Sequence, residues 1–293
     1  LGIPLVTIFT PVYNRAYIVE KLYHSLKCQT INDFEWIVVD DGSTDNTEEV
    51  LERIESDEHN FSYRHVRQEN GGKHTAINRG VSLAKGDLFF IVDSDDVLTA
   101  DAIEKIYKYS STISEQDSFA GLAFLRASLD GLKIIGTTFE GMQRDFTSLE
   151  RMKNGVYGDK AEIYYTKVLK EFPFPVYRGE NFVTEALVWN RIAAQGLKMR
   201  WVNEAIYLCD YLEDGLTHHI DELLIRNFNG YTEYARELVY YPQTCLKEKL
   251  KTIGMYALRG RKKGLTYKNL SSKIGVSAFT LWIMGVLAKM LKR

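Results

Sequence analysis

Cysteine is scarce and poorly placed for structure-making. Cys28, Cys209 and Cys245 are far apart and odd in number, which excludes a zinc-ligand spacing and a disulfide framework and points to a reducing compartment. No apolar run reaches the ~20 residues needed to span a bilayer. No internal repeat or low-complexity segment stands out, and no signal-peptide pattern precedes the first strand near Leu5. What these absences leave is one large α/β domain, or one such domain with an appendage, for 293 residues of ordinary apolar content.

Acidic residues are almost missing from one stretch. From Tyr240 to Arg293 there are twelve Lys/Arg and one Glu, leaving 25 Lys/Arg against 38 Asp/Glu before it. The net charge of −2 therefore hides an acidic body and a basic tail.

The apolar run 88–92 has the length and composition of a buried parallel strand and ends abruptly in Asp93-Ser94-Asp95-Asp96. Three acids so close repel one another unless a cation sits among them. Asp93 and Asp95 suit a hard divalent ion, Mg²⁺ or Mn²⁺, that takes oxygen ligands and leaves positions for phosphates. The plainer alternative is a solvated acidic turn, with Asp96 capping a helix near Thr99. A strand over 5–10 is expected to stop at Pro11, and one over 34–39 also ends in a pair, Asp40-Asp41. A strand over 61–66 and helices over 17–27, 45–56, 73–84 and 100–111 complete an alternation that argues for a parallel sheet with helices on both faces. In such a sheet the two acidic tips share one edge and one crevice. Beyond 111, a hairpin is expected across Asp130-Gly131, a helix over 182–194, short strands at 201–202 and 205–211, and mostly helix from 220.

Taken in order, Pro11-Val12-Tyr13-Asn14-Arg15, Asp40-Asp41-Gly42-Ser43, Asn70-Gly71-Gly72-Lys73-His74 and Asp93-Ser94-Asp95-Asp96 closely resemble the inverting nucleotide-sugar glycosyltransferases of family 2. The resemblance is strong over residues 5–110 and weaker to about 217. It implies the GT-A fold: a mostly parallel, Rossmann-like sheet flanked by helices, with catalytic residues in 1–218 (nucleotide-binding half 1–110, acceptor-binding half 111–218) and a helical, basic extension over 219–293. It implies that Pro11 and Tyr13 line a base pocket and that Asp41 accepts from the base's imide N–H. Asp93 would reach the ribose or the metal's water shell, Ser94 would contact the nucleotide, and Asp95 would hold the metal. Gly72 would let the backbone approach the ligand, and Lys73 would contact a phosphate or the base, with a solvated lysine as the alternative. His74 is read either as a pyrophosphate contact or as a helix-surface residue.

In this family a helix-initial acid deprotonates the acceptor hydroxyl. Counting back from Arg191 places Glu185 there, with Glu180 as the alternative; the usual acid pair is absent, since Ala186 follows Glu185. His218, or His219 beside it, would be a late metal ligand. The implied partners are a nucleotide-sugar donor, uridine-linked by the family's habit, and a glycan or lipid-linked acceptor in surface-polysaccharide assembly. The residues 274–288 read as a helix apolar almost all round beside a basic stretch, which fits a membrane surface on the cytoplasmic side; packing on the catalytic domain or on a second copy is the alternative. Nucleic acid is not expected, because no aromatic-interleaved motif accompanies the basic run. A phospho-accepting receiver module is excluded by the Pro-Val-Tyr-Asn ending of the first strand and by chain length. A catalytically inactive relative stays open.

Overall fold

A computed structural model describes residues 5–113, 118–209 and 219–291. The chain begins with β1 (Val6–Val12), α1 (Val19–Lys27), β2 (Phe34–Asp40), α2 (Thr47–Glu55), β3 (Ser62–Arg67), α3 (Lys73–Leu83) and β4 (Leu88–Ile91). These form a parallel sheet ordered β3-β2-β1-β4. The strand order reverses on either side of β1, which opens a crevice at the carboxyl edge. Strand β2 is buried throughout and β4 likewise, as expected of strands covered on both faces. Helix α1 buries Val19, Leu22, Tyr23 and Leu26 along one stripe.

Pro11 does not end β1; it pairs with Val39 of β2 one residue before the strand's end. On the other side β4 pairs with β1 only as far as Phe9, so the missing N–H of Pro11 costs no ladder bond.

The second half continues with β5 (Val97–Leu98), α4 (Ala102–Ser110), β6 (Phe119–Ser128), β7 (Ile134–Ile135), β8 (Gln143–Phe146), β9 (Lys160–Tyr165), α5 (Thr166–Glu171), α6 (Glu185–Ala194) and β10 (Lys198–Cys209). The sheet extends as β4-β9-β6-β10-β5, with β9 antiparallel to both its neighbours and β6 parallel to β10. The hairpin across Asp130-Gly131 is present as β6 and β7. The two short strands expected at 201–202 and 205–211 are, as far as Cys209, one strand, β10, two of whose irregularities fall between Trp201 and Tyr207; they break the alternation that would have marked a continuous strand, and residues 210–211 lie outside the described residues.

From Ile220 the described chain is helical: α7 (Ile220–Arg226), α8 (Phe228–Tyr240), α9 (Leu246–Lys262), α10 (Tyr267–Ile274) and α11 (Ala278–Leu291). These helices bury their own apolar cluster around Phe228, Tyr231, Tyr256, Leu270 and Leu281. The helix expected from 274 begins instead at Ala278, because Gly275 takes a left-handed conformation and caps α10.

Candidate active site

A cleft of about 750 Å³ opens at the carboxyl edge of the parallel strands. Into it come Pro11, Tyr13, Asp41, Gly72, Lys73, Asp93, Ser94, Asp95 and Glu185, which gathers both acidic strand tips into one crevice. His218 lies outside the described residues; His219 is exposed ahead of α7 and does not line the cleft.

The tip of β2 divides its two acids. Asp40 turns inward and its Oδ1 accepts from Ser43 N at 2.8 Å. Asp41 Oδ1 accepts from Gly71 N at 2.9 Å and Gln68 Nε2 at 2.7 Å, and its Oδ2 from Gly72 N at 2.7 Å. Asp41 thereby fixes the glycine turn ahead of α3. Gly72, at φ +88°, needs the freedom of glycine. Tyr13 is 47% exposed at the mouth of the cleft, its ring free of the core.

At the tip of β4, Asp93 N donates to Tyr207 Oη at 3.0 Å, and the Tyr207 hydroxyl donates to Asp96 Oδ2 at 2.6 Å. Asp96 is therefore held by the sheet and does not cap α4. Burial, together with the charge of Asp93, pushes the Asp96 carboxyl up to about 8. The same two causes raise Asp95 above the usual carboxylate range. Burial works against the charged form of Asp93 as well, but the charges of Lys73 and Arg126 prevail and hold it below that range.

Lys73, the first residue of α3, bridges the two halves of the cleft. Its Nζ lies 2.6 Å from Asp93 Oδ1 and 2.9 Å from Glu185 Oε1. Burial alone would weaken the ammonium, yet the two carboxylates raise its pKa above the ordinary lysine value. A solvated lysine is not what the fold makes of it. Glu185 opens α6, its carboxylate at the positive end of the helix. Glu180 is elsewhere: its carboxylate accepts from Asn229 N at 2.7 Å and Gly230 N at 3.0 Å and caps α8. His74 is 1% exposed, not a surface residue, and neither ring nitrogen has a hydrogen-bond partner among the described residues. Burial lowers its pKa.

The far wall carries groups that spacing did not single out: Arg126 on β6, Arg151, and Asp159, Lys160 and Glu162 at and along β9. Arg126 stacks over the Tyr207 ring at 4.1 Å and its Nε donates to Lys160 O at 3.1 Å. Burial raises the Glu162 carboxyl above its ordinary range. The signal that would have found them is a charge interrupting an otherwise buried strand, as Arg126 and Glu162 both do.

Comparison with known proteins gives a consistent picture. The model of the family "Glycosyl transferase family 2" matches residues 7–121. TuaG of Bacillus subtilis, described as a putative teichuronic acid biosynthesis glycosyltransferase, is 30% identical over 203 residues, 69% of this chain and 77% of TuaG. Glycosyltransferase GlyG of Streptococcus pneumoniae is 40% identical over 116 residues, 39% of this chain and 36% of GlyG. Chondroitin synthase of Pasteurella multocida is 42% identical over 106 residues, 36% of this chain and 11% of the synthase. The chain thus matches small parts of these last two and most of TuaG. Among solved structures, S. aureus TarS 1-349 in complex with UDP-GlcNAc superposes with a TM-score of 0.61 at 19% identity, over 90% of this chain and 75% of that one. The mannosyltransferase PcManGT from Pyrobaculum calidifontis, in complex with GDP-Man and Mn2+, gives 0.59 at 16% identity, over 99% and 81%. The fold is that of the GT-A glycosyltransferases. With TuaG matched over three quarters of its length and the family's motifs in order along one crevice, this chain belongs to glycosyl transferase family 2.

Proposed function

We propose that the protein moves a hexose or N-acetylhexosamine from a nucleoside diphosphate sugar, foremost a UDP-sugar, to a hydroxyl of a glycan or lipid-linked acceptor. The reaction inverts the anomeric centre and serves cell-surface polysaccharide assembly. The observation that carries this reading is the Lys73 bridge: one ammonium holds the donor-side Asp93 and the helix-initial Glu185 together. The nucleotide-sugar complexes of TarS and PcManGT and the description of TuaG support it by analogy.

In this reading the base packs on the exposed Tyr13 ring beside Pro11. Asp41 has lone pairs beyond those given to Gly71, Gly72 and Gln68, and these accept the base N–H. Lys73 contacts the diphosphate. Glu185 takes the proton from the acceptor hydroxyl as its oxygen attacks the anomeric carbon from the face opposite the diphosphate, which leaves as the new glycosidic bond forms. We assign the donor to 1–110, the acceptor to 111–218, and a supporting role to the helices of 219–293.

The donor set fits a divalent cation of the Mg²⁺ or Mn²⁺ kind. Asp95 is a half-buried carboxyl whose pKa is raised by desolvation and by its neighbour Asp93, as befits an acid short of positive charge. An ion of this kind is commonly bound by one or two carboxylates plus phosphates and water. Held by Asp93 and Asp95, such an ion would neutralise the diphosphate leaving group.

A turnover screen over a panel of sugar nucleotides, with Mn²⁺ and with chelator, tests this. The expected result is turnover of a UDP-sugar that chelator abolishes and that Glu185→Gln lowers by about 10²-fold or more with donor affinity kept. Turnover indifferent to both changes would overturn the assignment. Donor binding without turnover under every condition would identify an inactive relative.

A further inference from the structure

Among the described residues, helix α11 packs against α9 and α10. Its inner face is pressed onto α9 through small residues: a Cβ on Gly254 would meet Met284 O at 2.7 Å, and a Cβ on Gly285 would meet Ala257 Cβ at 3.1 Å. The opposite face carries Phe279, Trp282, Ile283, Val286, Leu287 and Met290, all exposed, with Phe279 at 67% and Met290 at 68%. Their spacing of three and four residues puts them in one unbroken stripe. Phe279 and Trp282 form an aromatic pair with ring centroids 5.9 Å apart at one end. A continuous apolar stripe of this size left in water marks an interaction surface.

Charge selects the occupant. No acid follows Glu248 in the sequence, whereas Lys and Arg recur to its end. Lys268 and Lys273 on α10, which packs against α11, and Lys289 on α11 itself are exposed. Two copies meeting stripe to stripe would bring together two tails of like charge. A surface that is apolar beneath and anionic above satisfies both features at once. Among the described residues no single helix is long and apolar enough to cross a membrane, and α10 and α11 are bent by 108° at their junction.

We propose that α11 lies in the plane of an anionic lipid bilayer, with its apolar stripe among the acyl chains, Trp282 at the headgroup level, and the lysines of α10 and α11 on the lipid phosphates. This is a contact of one leaflet, not a span. It rests on the tail alone and is independent of the transfer chemistry proposed above.

Vesicle flotation of the full chain tests it, using phosphatidylcholine alone and phosphatidylcholine with roughly one-third phosphatidylglycerol. Partitioning onto the anionic vesicles is expected to exceed that onto the neutral ones by about tenfold and to fall with added salt. Trp282 emission should shift to the blue on binding; Trp36, Trp189 and Trp201 are buried already, and Trp282→Phe should abolish the shift. Ile283→Ser/Leu287→Ser changes only exposed side chains and should cut partitioning about tenfold while circular dichroism and donor turnover stay unchanged. Lys268→Glu/Lys273→Glu should remove the preference for anionic vesicles. Failure of the wild-type chain to float with either vesicle would overturn the proposal. So would a dimer in sedimentation equilibrium that the serine variant dissolves without any change in lipid binding.

Discussion

A Cβ built on Gly72 would lie 1.7 Å from the carbonyl oxygen of Asn181. The turn that opens α3 is thus seated directly on the segment leading to Glu185, with backbone against backbone. Gly72→Ala must displace that segment and also hold alanine at φ +88°. We expect a loss of at least about 2–4 kcal/mol in chemical denaturation. Gly131→Ala, at φ +72° with none of the described residues within 4 Å of its Cβ position, should lose only about 1 kcal/mol.

Lys73 compensates two acids at once, so its removal and theirs should differ. Lys73→Met leaves Asp93 and Glu185 without the ammonium that bridges them. The side chain keeps 24% exposure, so the cost should fall below that of a fully buried pair, on the order of 2–4 kcal/mol. Glu185→Gln should cost less, because Asp93 still pairs with Lys73. Thermal unfolding of both variants without ligand checks the order; Glu185→Gln being the less stable would contradict it.

The Tyr207 hydroxyl satisfies two groups at the β4 tip, donating to Asp96 Oδ2 and accepting from Asp93 N. Tyr207→Phe leaves a buried carboxyl and a buried amide each without this partner. A destabilisation of about 1–3 kcal/mol is expected, with slowed turnover if the tip must hold its shape. Melting curves and initial rates on the same preparation report the two effects separately.

Lys160 offers a pH test. Burial, with the nearby charge of Arg151, lowers its pKa to about 8 from an ordinary 10.5. Below the lower value both folded and unfolded chains carry the proton, and the folded state bears the cost of burying it. Between about 8 and 10.5 the unfolded chain binds more protons, so this residue makes stability rise with pH across that window. The contribution should vanish in Lys160→Met. Equal slopes of unfolding free energy against pH in the two proteins would refute it.

Local patterning made the first half of the chain readable. The strands ending at Asp40 and Ile91, and the helix from Lys73, are runs whose periodicity and turn residues agree with their tertiary setting. The alternation of strands and helices was enough to bring Asp41 and Asp95 to one rim. Arg126 and Glu162 each interrupt a buried strand, which marks them locally, but their arrival at the cleft depends on pairing of β9 with β4 and β6, contacts distant in sequence. Counting back from Arg191 favoured Glu185 over Glu180 along the chain, but the separate placement of Glu180 was not legible there. It depends on Glu180 meeting the start of α8, some 49 residues onward.

The same encounter has an architectural consequence. Asn227 Oδ1 accepts from Asn181 N at 2.8 Å and Phe182 N at 3.2 Å, while Glu180 grips the first amides of α8. The loop ahead of Glu185 is therefore moored at both backbone and side chain to helices that look like an add-on. Cutting the chain before Asn227 would set the proposed base adrift, whereas trimming α11 alone would leave its mooring intact.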